Sequence, residues 1–201
     1  MALASKLLVA AAALLGAGAA HAGVPQWTLS EATGDVTILV SGQAQRLAKG
    51  SAVPIGAAFV TGRNGSLVLA RGDQTVALAP NSRLRVADPA PSRGLIQMFT
   101  DQGTATFQLQ GAALPFAVST PYLAAAGTGV RFSITVSDGG AQVKALDGDV
   151  QVITHDGRSA QRVSAGMTGL VAASEQDRLT INASSQRLAD GFAATKVALK
   201  D

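Results

Sequence analysis

From about residue 34 to residue 182 the chain is a succession of short runs rich in Val, Leu, Ile, Thr and Phe. They are cut roughly every eight to twelve residues by Gly, Asn-Gly or Asp-Gly. Runs of this kind are 35–40, 66–70, 74–78, 104–109, 130–136, 142–146 and 150–153. Several alternate strictly. In 130–136, Val130, Phe132, Ile134 and Val136 point one way, while Arg131, Ser133 and Thr135 point the other. That is the period of a half-buried strand. The breaks carry turn chemistry: Asn64-Gly65, Asp138-Gly139, Asp147-Gly148 and Asp156-Gly157 supply residues tolerant of positive φ. Connections this short join neighbouring antiparallel strands rather than helical crossovers. The pattern predicts an all-β fold of many short, mainly antiparallel strands, arranged as a sandwich, a barrel or a short solenoid.

Two stretches depart from this rhythm. Residues 87–94, Ala-Asp-Pro-Ala-Pro-Ser-Arg-Gly, read as a Pro-rich loop, and the strands beside it are the candidates for exposed sheet edges. Beyond Asn182, Leu188, Phe192 and Leu199 recur at roughly helical spacing, weakened by Gly191, so 183–201 reads as a tail or short helix. The beginning of the chain follows a different logic. One charge, Lys6, precedes an apolar run from Leu7 to Leu15, and Ala20-His21-Ala22 closes it with small residues. Charge, apolar core and an A-x-A site in order form a secretory signal peptide. An apolar core of about nine residues falls well short of the roughly 20 that span a bilayer. The expected organisation is 1–22 signal peptide, 23–33 lead-in, 34–182 β domain and 183–201 tail, with cleavage near Ala22 and a periplasmic or secreted product.

Composition narrows the chemistry. With no cysteine, neither disulfides nor thiolate zinc sites are available, and no lipid can be attached at a cysteine beside the cleavage site. The formal net charge is only +3 and the basic residues are scattered, so nucleic acid is not an expected partner. Once His21 leaves with the signal peptide, one histidine remains, His155, in the turn-like Thr154-His155-Asp156-Gly157. It lacks the nucleophile elbow of a hydrolase. Aspartates adjoin glycines throughout and read as turn residues. Asp147-Gly148-Asp149 is the best carboxylate pair for Ca²⁺ or acid/base work, yet it lacks EF-hand spacing and aromatic company. Gly127-Thr128-Gly129 precedes a strand, not the helix a phosphate loop needs. No catalytic, cofactor-binding or metal-ligating residue, and no cofactor, is expected.

A set of short motifs in order carries a family resemblance. Gly34-Asp35-Val36 is followed by Thr61-Gly62-Arg63-Asn64-Gly65-Ser66, then by Leu78-Ala79-Pro80-Asn81-Ser82 with Leu84. Next come Gly103-Thr104-Ala105-Thr106-Phe107, Phe116-Ala117-Val118-Ser119-Thr120-Pro121, Gly127-Thr128, Phe132 and Asp147-Gly148-Asp149-Val150. Over roughly residues 34–172 this order resembles the periplasmic domain of the FecR family. The resemblance implies a non-enzymatic domain; the family's regulators relay an outer-membrane transporter's signal to a cytoplasmic sigma factor. Those regulators place an anti-sigma segment and a membrane helix before the domain, where this sequence has a signal peptide. The expected role is therefore a protein-interaction or sensing module of the cell envelope with an unknown envelope protein as partner. The alternative is a small-ligand or glycan binder. In the motifs themselves, Gly127 is expected to permit a sharp bend before the next strand.

Overall fold

A computed structural model describes residues 26–87, 95–111 and 115–183. Residues 1–25, 88–94, 112–114 and 184–201 lie outside the described residues, and with them the expected signal peptide, most of the Pro-rich stretch and the expected tail or short helix. Within them the chain is all-β, with no helix.

The strands form two facing layers, here called I and II. The chain begins in layer I with β1 (Thr28–Thr33) and crosses to layer II for β2 (Val36–Val40), β3 (Gln43–Gln45) and β4 (Ala58–Thr61). It returns to layer I for β5 (Ser66–Arg71) and β6 (Gln74–Leu78), then adds β7 (Arg83–Val86) to layer II. Strand β8 (Ile96–Gln108) starts in layer II and ends in layer I. Four hairpins then alternate between layers: β9 (Phe116–Ser119) and β10 (Leu123–Gly127) in II, β11 (Arg131–Ser137) and β12 (Gly140–Asp147) in I, β13 (Val150–Thr154) and β14 (Ala160–Val163) in II, and β15 (Met167–Ala172) and β16 (Glu175–Ala183) in I. The order across layer I is β1-β5-β6-β8-β11-β12-β15-β16, and across layer II β3-β2-β4-β7-β8-β9-β10-β13-β14. All pairings are antiparallel except β8 with β9.

The inward faces follow from the alternation. Val130, Phe132, Ile134 and Val136 are buried, as the pattern predicts. Phe107 of layer I stacks on Phe132, ring centroids 5.0 Å apart, and meets Phe116 of layer II at 5.7 Å. Trp27 meets Phe116 edge-on at 6.2 Å. These four rings span the gap between layers, so the apolar area they withdraw from water holds the sandwich shut.

The layers do not close into a barrel. Strands β3, β14 and β16 each have one neighbour. Strand β1 also pairs with one strand, but its start is covered by residues 50–53, where Leu29 N donates to Ser51 O at 2.9 Å and Val53 N to Trp27 O at 2.7 Å. This corrects the expectation for the Pro-rich loop. Its flanking strands β7 and β8 are central, because β7 lies between β4 and β8, and β8 is bonded on both sides in both layers.

Turn glycines divide similarly. Gly148 and Gly157 hold positive φ as expected, each at 74°. Neither residue of Asn64-Gly65 or Asp138-Gly139 does; Gly140 carries the second turn at 134°. Gly127 is the last residue of β10, paired with Phe116, and the bend falls at Gly129, φ 66°.

Candidate functional site

The residues that carry the family resemblance meet at the places where the chain passes between layers. Gly34-Asp35 links β1 to β2, Thr61 to Gly65 links β4 to β5, Ala79 to Ser82 links β6 to β7, and Gly103 marks the passage within β8. They are bonded to one another. Gly62 N donates to Asp35 O at 2.8 Å, and Asn81 N to Gly62 O at 3.1 Å. The Thr61 hydroxyl donates to Ala79 O at 2.7 Å and accepts from Ser82 N at 2.9 Å, while the Ser82 hydroxyl accepts from Thr104 N at 2.9 Å. Gly103 sits at φ 82°, and a Cβ there would run into Ser82 and the Asn81 carbonyl. A second set of passages lies at the other end of the strands: 128–130 before β11, Gly148-Asp149 before β13, and 164–166 before β15. The motifs are thus corners of the sandwich. Their chemistry is spent on backbone groups that would otherwise be buried without partners.

The residues considered for catalysis stand apart. His155 is exposed in the turn after β13, its backbone N–H donating to Tyr122 O at 3.0 Å. Asp149 pairs with Arg162 at 3.6 Å, and Asp147 accepts from Gln110 at 3.5 Å. Among the described residues no group of three or more His, Asp or Glu could hold a metal ion. Asp156, beside His155, titrates below its ordinary value of 3.8. Its carboxylate accepts from the Thr154 hydroxyl at 2.7 Å and from Arg158 N at 3.1 Å, and Arg158 adds charge at 3.5 Å. These bonds shape the turn.

The most distinctive surface is the outer face of layer II. Register places Phe99, Ser119, Ala124 and Ile153 side by side on β8, β9, β10 and β13. Gln97, Ala117, Ala126 and Gln151 form the neighbouring row. The middle strands carry only Ala and Ser outward, and the outer strands carry larger side chains. The result is a trough running along the strands, an open groove of about 420 Å³ at its Phe99–Ile153 end. Asp101 and His155 stand at that end. Asp101 faces outward in the same alternation as Gln97 and Phe99, lines the groove, and sits where the β7–β8 register shifts. Arg85 on β7 covers the far side of Phe99, 4.5 Å above the ring. Ile153 is 40% exposed. A second groove of about 340 Å³ is polar, lined by Val60, Thr61, Asn81, Ser82, Arg83 and Gln102 beside the first set of corners.

Residues 57–151 match the family model described as FecR protein. The match bears out the resemblance and runs from the residue before β4 into β13, so it takes in the middle of the sandwich. Two crystal structures of a "putative anti-sigma factor" from Parabacteroides distasonis ATCC 8503 share the fold. One is 17% identical with a TM-score of 0.52, covering 62% of this chain and 58% of its own. The other is 16% identical with a TM-score of 0.54, covering 63% and 59%. The chain therefore spans less than two thirds of the length of these neighbours. No curated protein matches the sequence. Among the described residues no helix is long and apolar enough to cross a membrane.

Proposed function

We propose that this FecR-matching chain is an exported, non-enzymatic module of the cell envelope that senses or relays a state by docking an envelope protein at a sheet edge. The observation that carries the docking half is β16. It spans nine residues, pairs among the described residues with β15 alone, breaks register between Glu175 and Thr180, and buries only Leu179 fully, whose carbonyl accepts from the Gln161 side chain at 3.3 Å. Apart from the Leu179 carbonyl, its outer side offers backbone donors and acceptors to an extended partner segment. Neither β3 nor β14 offers as much, at three and four residues. The regulatory half takes its direction from the family match. The export half rests on residues 1–22, with their single charge, apolar run and small-residue end.

Two experiments test this. Protein recovered from a periplasmic extract should begin at or near Gly23 by mass spectrometry, whereas soluble cytoplasmic protein retaining Met1 overturns the export reading. For docking, an envelope partner identified by pull-down should lose affinity when Pro replaces β16 residues whose N–H points away from β15, with folding retained. A competing reading, a small-ligand or glycan binder, is favoured by the polar groove beside Arg83. A thermal-shift screen of sugars and small polar ligands separates the two, since a stabilising ligand that depends on Arg83 would replace edge docking.

A further inference from the structure

We propose that the trough on the outer face of layer II is a docking site for an amphipathic helix of a partner protein, with a basic side chain of that helix set against Asp101. Three observations lead there, none of which depends on the β16 edge.

The first is the kind of contact the trough offers. Its backbone N–H and C=O groups are engaged in the ladders of β8, β9, β10 and β13, so an incoming strand finds nothing to pair with. Recognition must come from side chains, which is how an apolar helix stripe enters a groove. The second is size. Three inter-strand spacings set the walls about 14 Å apart, and four residues of strand give a length of about 13 Å. A helix with side chains is about 10–12 Å across, and at 1.5 Å per residue about nine residues cover that length. The Ala117, Ser119, Ala124 and Ala126 floor lets such a helix come close, with Phe99 and Ile153 on its flanks. The footprint, about 200 Å², matches a short helical segment bound weakly rather than the roughly 800 Å² per partner of a stable dimer.

The third is charge. Asp101 is exposed at the end of the trough and has no ion-pair partner among the described residues. Two cations of the paired strand share this side: Arg83, opposite the neighbouring Gln102, makes no ion pair with Asp101, and Arg85 is set over Phe99. Asp156 beyond the trough is already satisfied by Thr154 and Arg158. An occupant that brings a Lys or Arg to Asp101 gains a complementary contact, and one that brings Glu meets a like charge.

The test uses three labelled 12-residue peptides and the purified protein. One carries Leu at i, i+3, i+4 and i+7 with Lys elsewhere; the second replaces Lys by Glu; the third scrambles the first. The Lys peptide should bind at least fivefold more tightly than either other, and shift the amide resonances of Ser119, Ala124 and Ile153. Ala124→Gln and the outward-facing Ile153→Ala should each weaken it at least fivefold. Asp101→Asn should erase the preference for Lys over Glu. Equal binding of the scrambled peptide, resonance shifts confined to layer I or β16, or indifference to both Ala124→Gln and Ile153→Ala would overturn the proposal. Pro substitutions in β16 should leave peptide binding unchanged, which keeps this outcome separate from edge docking.

Discussion

Across the outer face of layer I, one cross-strand row reads Thr180, Leu170, Gln142, Thr135, Thr104. Across layer II the comparable row reads Arg85, Phe99, Ser119, Ala124, Ile153. Both faces rest on the same ladder geometry and on one shared core. Layer I covers most of its ladder with hydroxyls and amides that water satisfies, Leu170 being the exposed exception in this row, and two of the hydroxyls, Thr104 and Thr135, bond each other at 3.0 Å. Layer II leaves methyl-floored relief between larger apolar side chains. A solvated face needs no partner, and a relief of large and small apolar groups is where burial on binding has something to gain. The difference separates a face that water satisfies from one whose relief is apolar.

That comparison can be broken in graded ways. The largest effect belongs to neither face but to the strand that feeds both. Gly103→Ala places a Cβ against Ser82 and Asn81 at φ 82° and should cost about 3 kcal/mol or more, measured by chemical denaturation. A loss below about 1 kcal/mol would mean the two layers are not locked at that corner. Next is Thr120, buried at the turn that ends the trough floor. Its hydroxyl donates to Leu123 O at 2.9 Å and accepts from Leu123 N at 3.0 Å. Thr120→Ala should cost about 1–2 kcal/mol and perturb β9 and β10 amide exchange more than layer I.

Smaller is the acid dependence of the neighbouring turn. The Asp156 carboxyl titrates below its ordinary value, so its contribution is present at neutral pH and is lost as pH falls through and below 3.8. The unfolding midpoint of the native protein should therefore drop more steeply over that acid range than that of Asp156→Asn. Parallel curves would show that the turn is not held by this carboxylate. The smallest effect is expected on layer I. Thr135→Val removes one exposed hydroxyl pair and should shift stability by less than about 0.5 kcal/mol. A cost above 1 kcal/mol would make the hydroxyl face a structural element rather than a solvated one.

The strands themselves were largely legible, because a half-buried strand writes its burial directly as alternation. Arg131 to Val136 is the clearest instance. Strand β8 was legible only in its second half, since Gly103 interrupts the pattern and Ile96 to Gln102 begins close to a Pro-rich stretch. A glycine that lets one strand change layers looks in sequence like a glycine that ends a strand. The misplaced edge has the same origin: an irregular loop in sequence says nothing about whether its flanking strands are central. The trough was invisible for another reason. Its floor consists of Ala and Ser from β9 and β10, which have no local signature, and its walls come from β8 and β13, far apart in the chain. Only register brings Phe99 and Ile153 into one row.

Strand β8 has hydrogen-bonded neighbours on both sides at each end, and they belong to different layers. Its amide protons can meet solvent only when at least one layer separates along its whole middle, which is close to complete unfolding. Deuterium uptake between Met98 and Phe107 should therefore be the slowest in the molecule and should report the global opening free energy. The β16 edge and the turns at the trough's end should take up deuterium through much smaller openings. The strand that joins the layers would serve as the clock against which every local opening is timed.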